Sequence, residues 1–155
     1  MLMHQGRAFL FRWLAAVALA IPCGIARAQA DVEIGQIKVA RGVVMVQRGA
    51  QALDGAVGLR LRAQDAIKTG VDGAVGITMR DNGMLSLGPN SLLTLEQFEF
   101  DDTSHQGRFD SSLLRGTLAM TSGRLSKQSA QAVKVRTPTA VLGVRGTELL
   151  VAVEP

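Results

Sequence analysis

What most constrains this chain is the placing of its glycines. Of the 17, all but Gly6 and Gly24 follow residue 30, where they separate short runs rich in Val, Ile, Leu and Thr. Glycine punctuation between strand-sized apolar runs is the pattern of an all-β chain. Strands are expected at 42–47, 59–62, 75–79, 84–87, 92–100, 113–121, 133–136 and 144–153. In 74–80, alternation puts Val75, Ile77 and Met79 on one face and Gly76, Thr78 and Arg80 on the other, as a half-buried strand requires. Asp81-Asn82-Gly83 then tolerates the positive φ of a tight reversal, so a hairpin returns through Leu85 and Leu87. Gly88-Pro89-Asn90-Ser91 marks a second turn. Beyond it, the parity of Leu93 and Leu95 changes at Phe98 and Phe100, which predicts a bulge. Residues 101–107 are polar and read as a solvated loop at the domain edge.

The first 30 residues read as a cleavable secretory signal. Arg7 and Arg12 form a basic n-region, and 13–21 are uninterruptedly apolar. Pro22, Gly24 and Arg27 end that run well short of the roughly 20 residues a membrane-spanning helix needs. Small-x-small cleavage patterns follow at Ala26-Arg27-Ala28 and Ala28-Gln29-Ala30, so cleavage is expected after Ala28 or Ala30. A lipoprotein modified on Cys23 is the rival, but Ile21 and Pro22 are not the small residues its processing requires. The expected mature chain, 31–155, has no linker or charge block and forms one domain in the periplasm or outside the cell, with no integral membrane segment after cleavage.

Removing the signal changes the charge argument. Three of the 17 Lys and Arg lie in it, leaving 14 against 13 Asp and Glu. The mature chain is close to neutral, which excludes a nucleic-acid partner chosen by bulk charge. The single Cys, Cys23, also leaves, so no disulfides are expected and stability rests on the apolar core.

Catalytic chemistry is poorly represented. Without His4, His105 is the only His, and no two-His metal site can form in one mature chain. Asp102, Ser104 and His105 name the members of a triad, but neighbours in one turn do not align as a triad does. Glu96, Glu99, Asp101 and Asp102 read as a solvated edge rather than a glycosidase pair. Phe98, Phe100 and Phe109, at strand spacing, read as core rather than as a stacking platform. No cofactor is expected.

Two segments carry more than generic β patterning. The first runs from Leu61 through Asp65, Thr69 and Gly70 to Pro89, Asn90 and Ser91. The second runs from Val133 through Thr137-Pro138-Thr139-Ala140 to Gly143-Val144-Arg145-Gly146-Thr147-Glu148. Together they resemble the FecR protein domain over roughly 39–153. Gln64 stands where that family usually has Gly, Asn82-Gly83-Met84 replaces Asp-Gly-Ser, and Leu149 replaces Phe. In this pattern Asp65, Thr69 and Thr147 are suited to bond turn backbone, Pro138 to stop a strand, and Gly143 and Gly146 to permit close approach. Arg145 either faces solvent from an edge strand or takes a buried acceptor, for which Asp65 would join the two motifs.

The expected fold is eight or nine short strands in two packed layers, as a sandwich or a short solenoid-like roll. The resemblance implies a non-enzymatic periplasmic module that binds an envelope protein or takes part in signalling. Because the signal peptide occupies the place of the family regulators' cytoplasmic arm and membrane helix, the stand-alone secreted form is expected. A structural or surface-associated envelope component without a signalling role is the alternative. The 149–153 run could pair with a partner or a second copy if it lies on a sheet edge.

Overall fold

The structure, a computed structural model, describes residues 32–146 and 148–154. The expected signal segment and Thr147 lie outside the described residues. Twelve strands form: β1 (Glu33–Arg41), β2 (Val44–Arg48), β3 (Gln51–Asp54), β4 (Arg60–Arg62), β5 (Ala66–Thr69), β6 (Ala74–Met79), β7 (Met84–Leu87), β8 (Leu92–Phe100), β9 (Gly107–Thr121), β10 (Val133–Arg136), β11 (Val141–Gly143) and β12 (Glu148–Val153), with one 3-10 turn at Leu125–Lys127. The fold is all-β, as expected, but with twelve strands rather than eight or nine. β1, β3, β5 and β11 are the additions, being too short or too irregular in alternation to stand out in the sequence.

The strands follow the order β3-β2-β5-β8-β9-β7-β6-β1-β4, with β10 and β12 also on β9 and β11 on β10. Every pairing is antiparallel except that of β10 with β9. The sheet curls into a half-barrel because β9 belongs to both of its halves. Up to Arg115 it pairs with β8 and, on its other side, with β10; from Gly116 onward it pairs with β7 and β12. Gly116 has φ +85, and a Cβ there would run into the backbone of Ser91. Only glycine turns the strand at that point.

The chain changes halves at three neighbouring corners: β1 to β2 at Gly42, β5 to β6 through 70–73, and β7 to β8 through 88–91. The inner faces of the two halves therefore meet in one core. Ile37, Ile77, Leu85 and Leu118 come from one half and Val46, Ile67, Leu93 and Leu113 from the other. Burying each such side chain contributes about 1.5–3 kcal/mol. The predicted hairpin is the β6–β7 pair, closed at Thr78 opposite Met84 with Asn82 at φ +67. The predicted bulge appears as a register shift between Leu95 and Gln97. Phe98 and Phe109 pack edge to face with ring centres 5.8 Å apart, in the core.

At the ends of the strands away from the corners, the halves are tied by the β4–β5 connection, by an Arg80–Asp102 pair at 2.8 Å, and by segment 122–132. That segment places Leu125, fully buried, in the core. Buried Asp81 holds it there by accepting the Leu125 N–H at 3.3 Å and that of Gly83 at 3.1 Å.

Candidate interaction site

The first family motif builds the corners. Thr69, at the end of β5, is buried and uses its hydroxyl twice, donating to Gly88 O at 2.7 Å and accepting the Ser91 N–H at 2.8 Å. The Ser91 hydroxyl donates to Gly88 O at 2.9 Å and accepts the Thr117 N–H at 2.9 Å. Gly70 N–H donates to Val43 O at 2.8 Å and Gly70 O accepts from Asn90 N–H at 2.9 Å. Pro89 and Asn90, the latter at φ +50, form the outer turn and line an open pocket with Arg115 and Gly116. Thr69, Gly70, Pro89 and Asn90 are thus brought together as one hydrogen-bonded seam between corners.

Asp65 lies at the opposite ends of the strands. Its carboxylate is fully buried and takes Arg48 Nε at 2.9 Å, Arg48 Nη2 at 2.7 Å and the Arg62 N–H at 2.9 Å. Of the two alternatives for Arg145, the pairing with Asp65 does not form and the solvent-facing one holds. Arg48, from the end of β2, occupies both carboxylate oxygens, while Arg145 is exposed and makes no ion pair among the described residues. Arg48 carried no sequence signal, since only the β2–β5 register places it beside Asp65. Gln64 has φ +71, which explains why Gly is usual at this position in the family.

The second motif forms the β10–β11 hairpin and the crossing that follows. Thr137 and Pro138 lie in the turn after β10, where the Ala140 N–H donates to Thr137 Oγ1 at 3.0 Å and the Thr137 N–H donates to Ala140 O at 2.8 Å. A Cβ on Gly143 would stand 2.7 Å from Ala130 O, a close backbone approach. Gly146 shows none, since a Cβ there would have nothing within 4 Å. The strand expected from Val144 begins only at Glu148, because Val144–Gly146 carries the chain between halves.

β12 lies at an edge, pairing with β9 alone among the described residues. Its outer face adjoins a groove of about 600 Å³ floored by Ser86 and Ala119 and flanked by Met84 and Leu150. Leu150 is 76 % exposed and Met84 51 %. Alternation within β12 explains this, because Val151 turns into the core and leaves Leu150 outside.

Elsewhere the titrating groups serve local structure. Asp101 is held below the usual carboxylate range, first by the Ser104 N–H and then by the Thr103 N–H, each donating to its Oδ1 at 2.8 Å. Arg108 is raised by its hydrogen bond to, and the charge of, Asp110. His105 stacks on Phe100 with ring centres 6.2 Å apart. Among the described residues no cluster of His, Cys, Asp and Glu could hold a metal ion, and no helix is long and apolar enough to cross a membrane.

The residues of the first motif tie together the two halves of a curled all-β sheet, which leaves β12 at an edge among the described residues. The chain belongs to the FecR protein family, whose pattern matches residues 65–155, beginning at Asp65 rather than at Val39. FecR domains are envelope-associated, signalling-related modules and not a known enzyme family. Neither the curated proteins nor the solved structures gave a match.

Proposed function

We propose that this chain is an exported, non-enzymatic module of the periplasm that binds another cell-envelope protein in a signalling role, and that the partner docks on the open edge of β12. Among the described residues four strands stand at sheet edges: β3, β4, β11 and β12. Three of them are blunted. β4 and β11 have three residues each, β4 also carries Arg60 and Arg62, and β3 is polar apart from Ala52 and Leu53. β12 runs for six residues with Glu148 as its one charge. An edge of that length and composition is what proteins avoid exposing unless something pairs with it. The single observation carrying the reading is this unprotected edge beside the Met84–Leu150 groove. Residues 1–30, with their basic, apolar and small-residue sections, support export.

The test is a photo-crosslinking side chain placed at Leu150, and separately at exposed Lys68 on the other half, in intact cells. Capture of an envelope protein at position 150 and not at 68 is expected. Capture of nothing but a second copy of this chain, or equal capture at both positions, overturns the reading.

A further inference from the structure

We propose that Asn82 is a latent self-modification site, which deamidates through a cyclic imide with Gly83 when the β6–β7 turn opens and which Asp81 holds off while the turn is closed. The sequence has two asparagines, Asn82 and Asn90. Both are exposed, and both take the left-handed backbone, at φ +67 and φ +50, which asparagine tolerates better than most residues. Each is followed by a small buried residue, Gly83 or Ser91. Glycine has no side chain to obstruct attack from its own nitrogen, so Asn82-Gly83 is the more reactive pair.

The chemistry needs only water. The Gly83 backbone nitrogen bonds to Asn82 Cγ and gives up its proton, the bond from Cγ to the side-chain nitrogen breaks, and that nitrogen takes the proton and leaves as ammonia. Water then opens the imide. Addition at Cγ yields aspartate at position 82, the residue usual there in the family pattern. Addition at the backbone carbonyl carbon yields isoaspartate, whose main chain runs through Cβ and lengthens the turn.

The closed turn opposes the first step. Gly83 N–H donates to Asp81 Oδ1 at 3.1 Å, and Gly83 O accepts the Met79 N–H at 2.8 Å. The nitrogen that must lose its proton thus holds it against a carboxylate, a bond stronger than one between neutral groups, and attack requires that bond to be given up. Asp81 is itself fixed. It is buried, its Oδ2 accepts the Leu125 N–H at 3.3 Å, and its backbone O accepts that of Arg124 at 2.9 Å. A Cβ on Gly123 would collide with Asp81 Oδ2, so segment 122–132 lies directly against the carboxylate, and displacing that segment frees it. Asn90 has the same arrangement with an uncharged acceptor. Ser91 N–H donates to Thr69 Oγ1 at 2.8 Å, and Ser91 O accepts the Thr69 N–H at 3.0 Å.

The experiment follows deamidation at both asparagines of the purified chain by peptide mass spectrometry, in mildly alkaline buffer with and without denaturing urea, alongside hydrogen exchange of the Gly83 amide. In urea, Asn82 should convert faster than Asn90. In buffer alone, Asn82 should convert more than about tenfold slower than in urea, in proportion to the open fraction that Gly83 exchange reports. Asp81→Ala should restore fast conversion at Asn82 in buffer and leave Asn90 slow. Conversion at Asn82 in buffer that matches the rate in urea, an unprotected Gly83 amide, or an Asp81→Ala chain that folds and converts no faster overturns the proposal. If that variant does not fold, the comparison within the unsubstituted chain decides. Partner capture at Leu150 does not depend on any of these outcomes.

Discussion

Asp65 and Arg48 join the two halves of the curled sheet through a fork of two hydrogen bonds, 2.9 Å and 2.7 Å, between a fully buried carboxylate and a guanidinium whose side chain is 22 % exposed. Arg48 ends β2 in one half. Its Nη2 also donates to Arg60 O at 2.8 Å, and Asp65 accepts the Arg62 N–H at 2.9 Å, both of these on β4 in the other half. One carboxylate thus satisfies three donors drawn from both layers. The Arg80–Asp102 pair also spans the halves, but with side chains 38 % and 61 % exposed.

These two pairs should differ sharply in energetic weight. Asp65→Ala removes the buried carboxylate that forks onto Arg48 and should destabilise by about 3 kcal/mol, toward the low end for breaking a buried pair because Arg48 keeps some solvent. Arg80→Ala should cost less than about 1 kcal/mol, as exposed pairs do. Urea denaturation of both variants measures the contrast. Equal losses would mean that Asp65 is not the principal tie.

The seam at Thr69 should depend on its hydroxyl and not on its shape. Thr69→Val keeps the volume but removes the acceptor for the Ser91 N–H and the donor to Gly88 O, a loss of about 1–3 kcal/mol. Thr69→Ser, which keeps the oxygen, should lose distinctly less. Thermal unfolding followed by circular dichroism would separate them.

Gly116 and Gly49 both have positive φ, +85 and +56, but only Gly116 is pressed against another segment. Gly116→Ala adds a collision with Ser91 to the backbone strain and should cost about 3 kcal/mol or more. Gly49→Ala meets nothing within 4 Å and should cost about 1 kcal/mol, from strain alone. Comparable melting temperatures for the two variants would contradict the corner at Gly116.

Acid should weaken the β8–β9 turn through Asp101. Its carboxyl is lowered from 3.8 by the Ser104 and Thr103 N–H groups. A depressed folded-state value means that its stabilising contribution is present above 3.8 and lost as pH falls through the lower folded value. Asp101→Asn should therefore flatten the acid limb of the stability profile by lowering neutral-pH stability toward the level that the unsubstituted chain has in acid. An unchanged acid limb would assign the pH dependence to other carboxylates.

Leu150→Lys should leave stability within about 0.5 kcal/mol, since the side chain projects from the sheet into solvent. Val151→Ala, one residue on, removes a core side chain and should cost about 1–2 kcal/mol. Chemical denaturation of the pair checks which face of β12 is buried.

Much of this fold was legible because its signals are local. The β6–β7 hairpin follows from the alternation of Val75, Ile77 and Met79 and from the backbone tolerance of Asn82 and Gly83. The bulge after Leu95 follows from a change of parity visible within a few residues. β1 was not legible, because shifts in its pairing at Gly35 and Val39 break the alternation that would mark it. β3 offers little apolar content of its own and is held by β2. β5 is four residues long and hidden within the first motif.

The sequence by itself determined an all-β chain, the positions of its principal turns and its resemblance to the FecR family, since side-chain alternation, glycine placement and motif chemistry act over short stretches. Tertiary structure alone decided that Asp65 would take Arg48 and leave Arg145 exposed, that Gly116 would divide one strand between two halves, and that β12 would be the unprotected edge. Each of those outcomes depends on which distant strands pair and in what register, and pairing is set by the shared burial of side chains from both halves, which no short segment encodes.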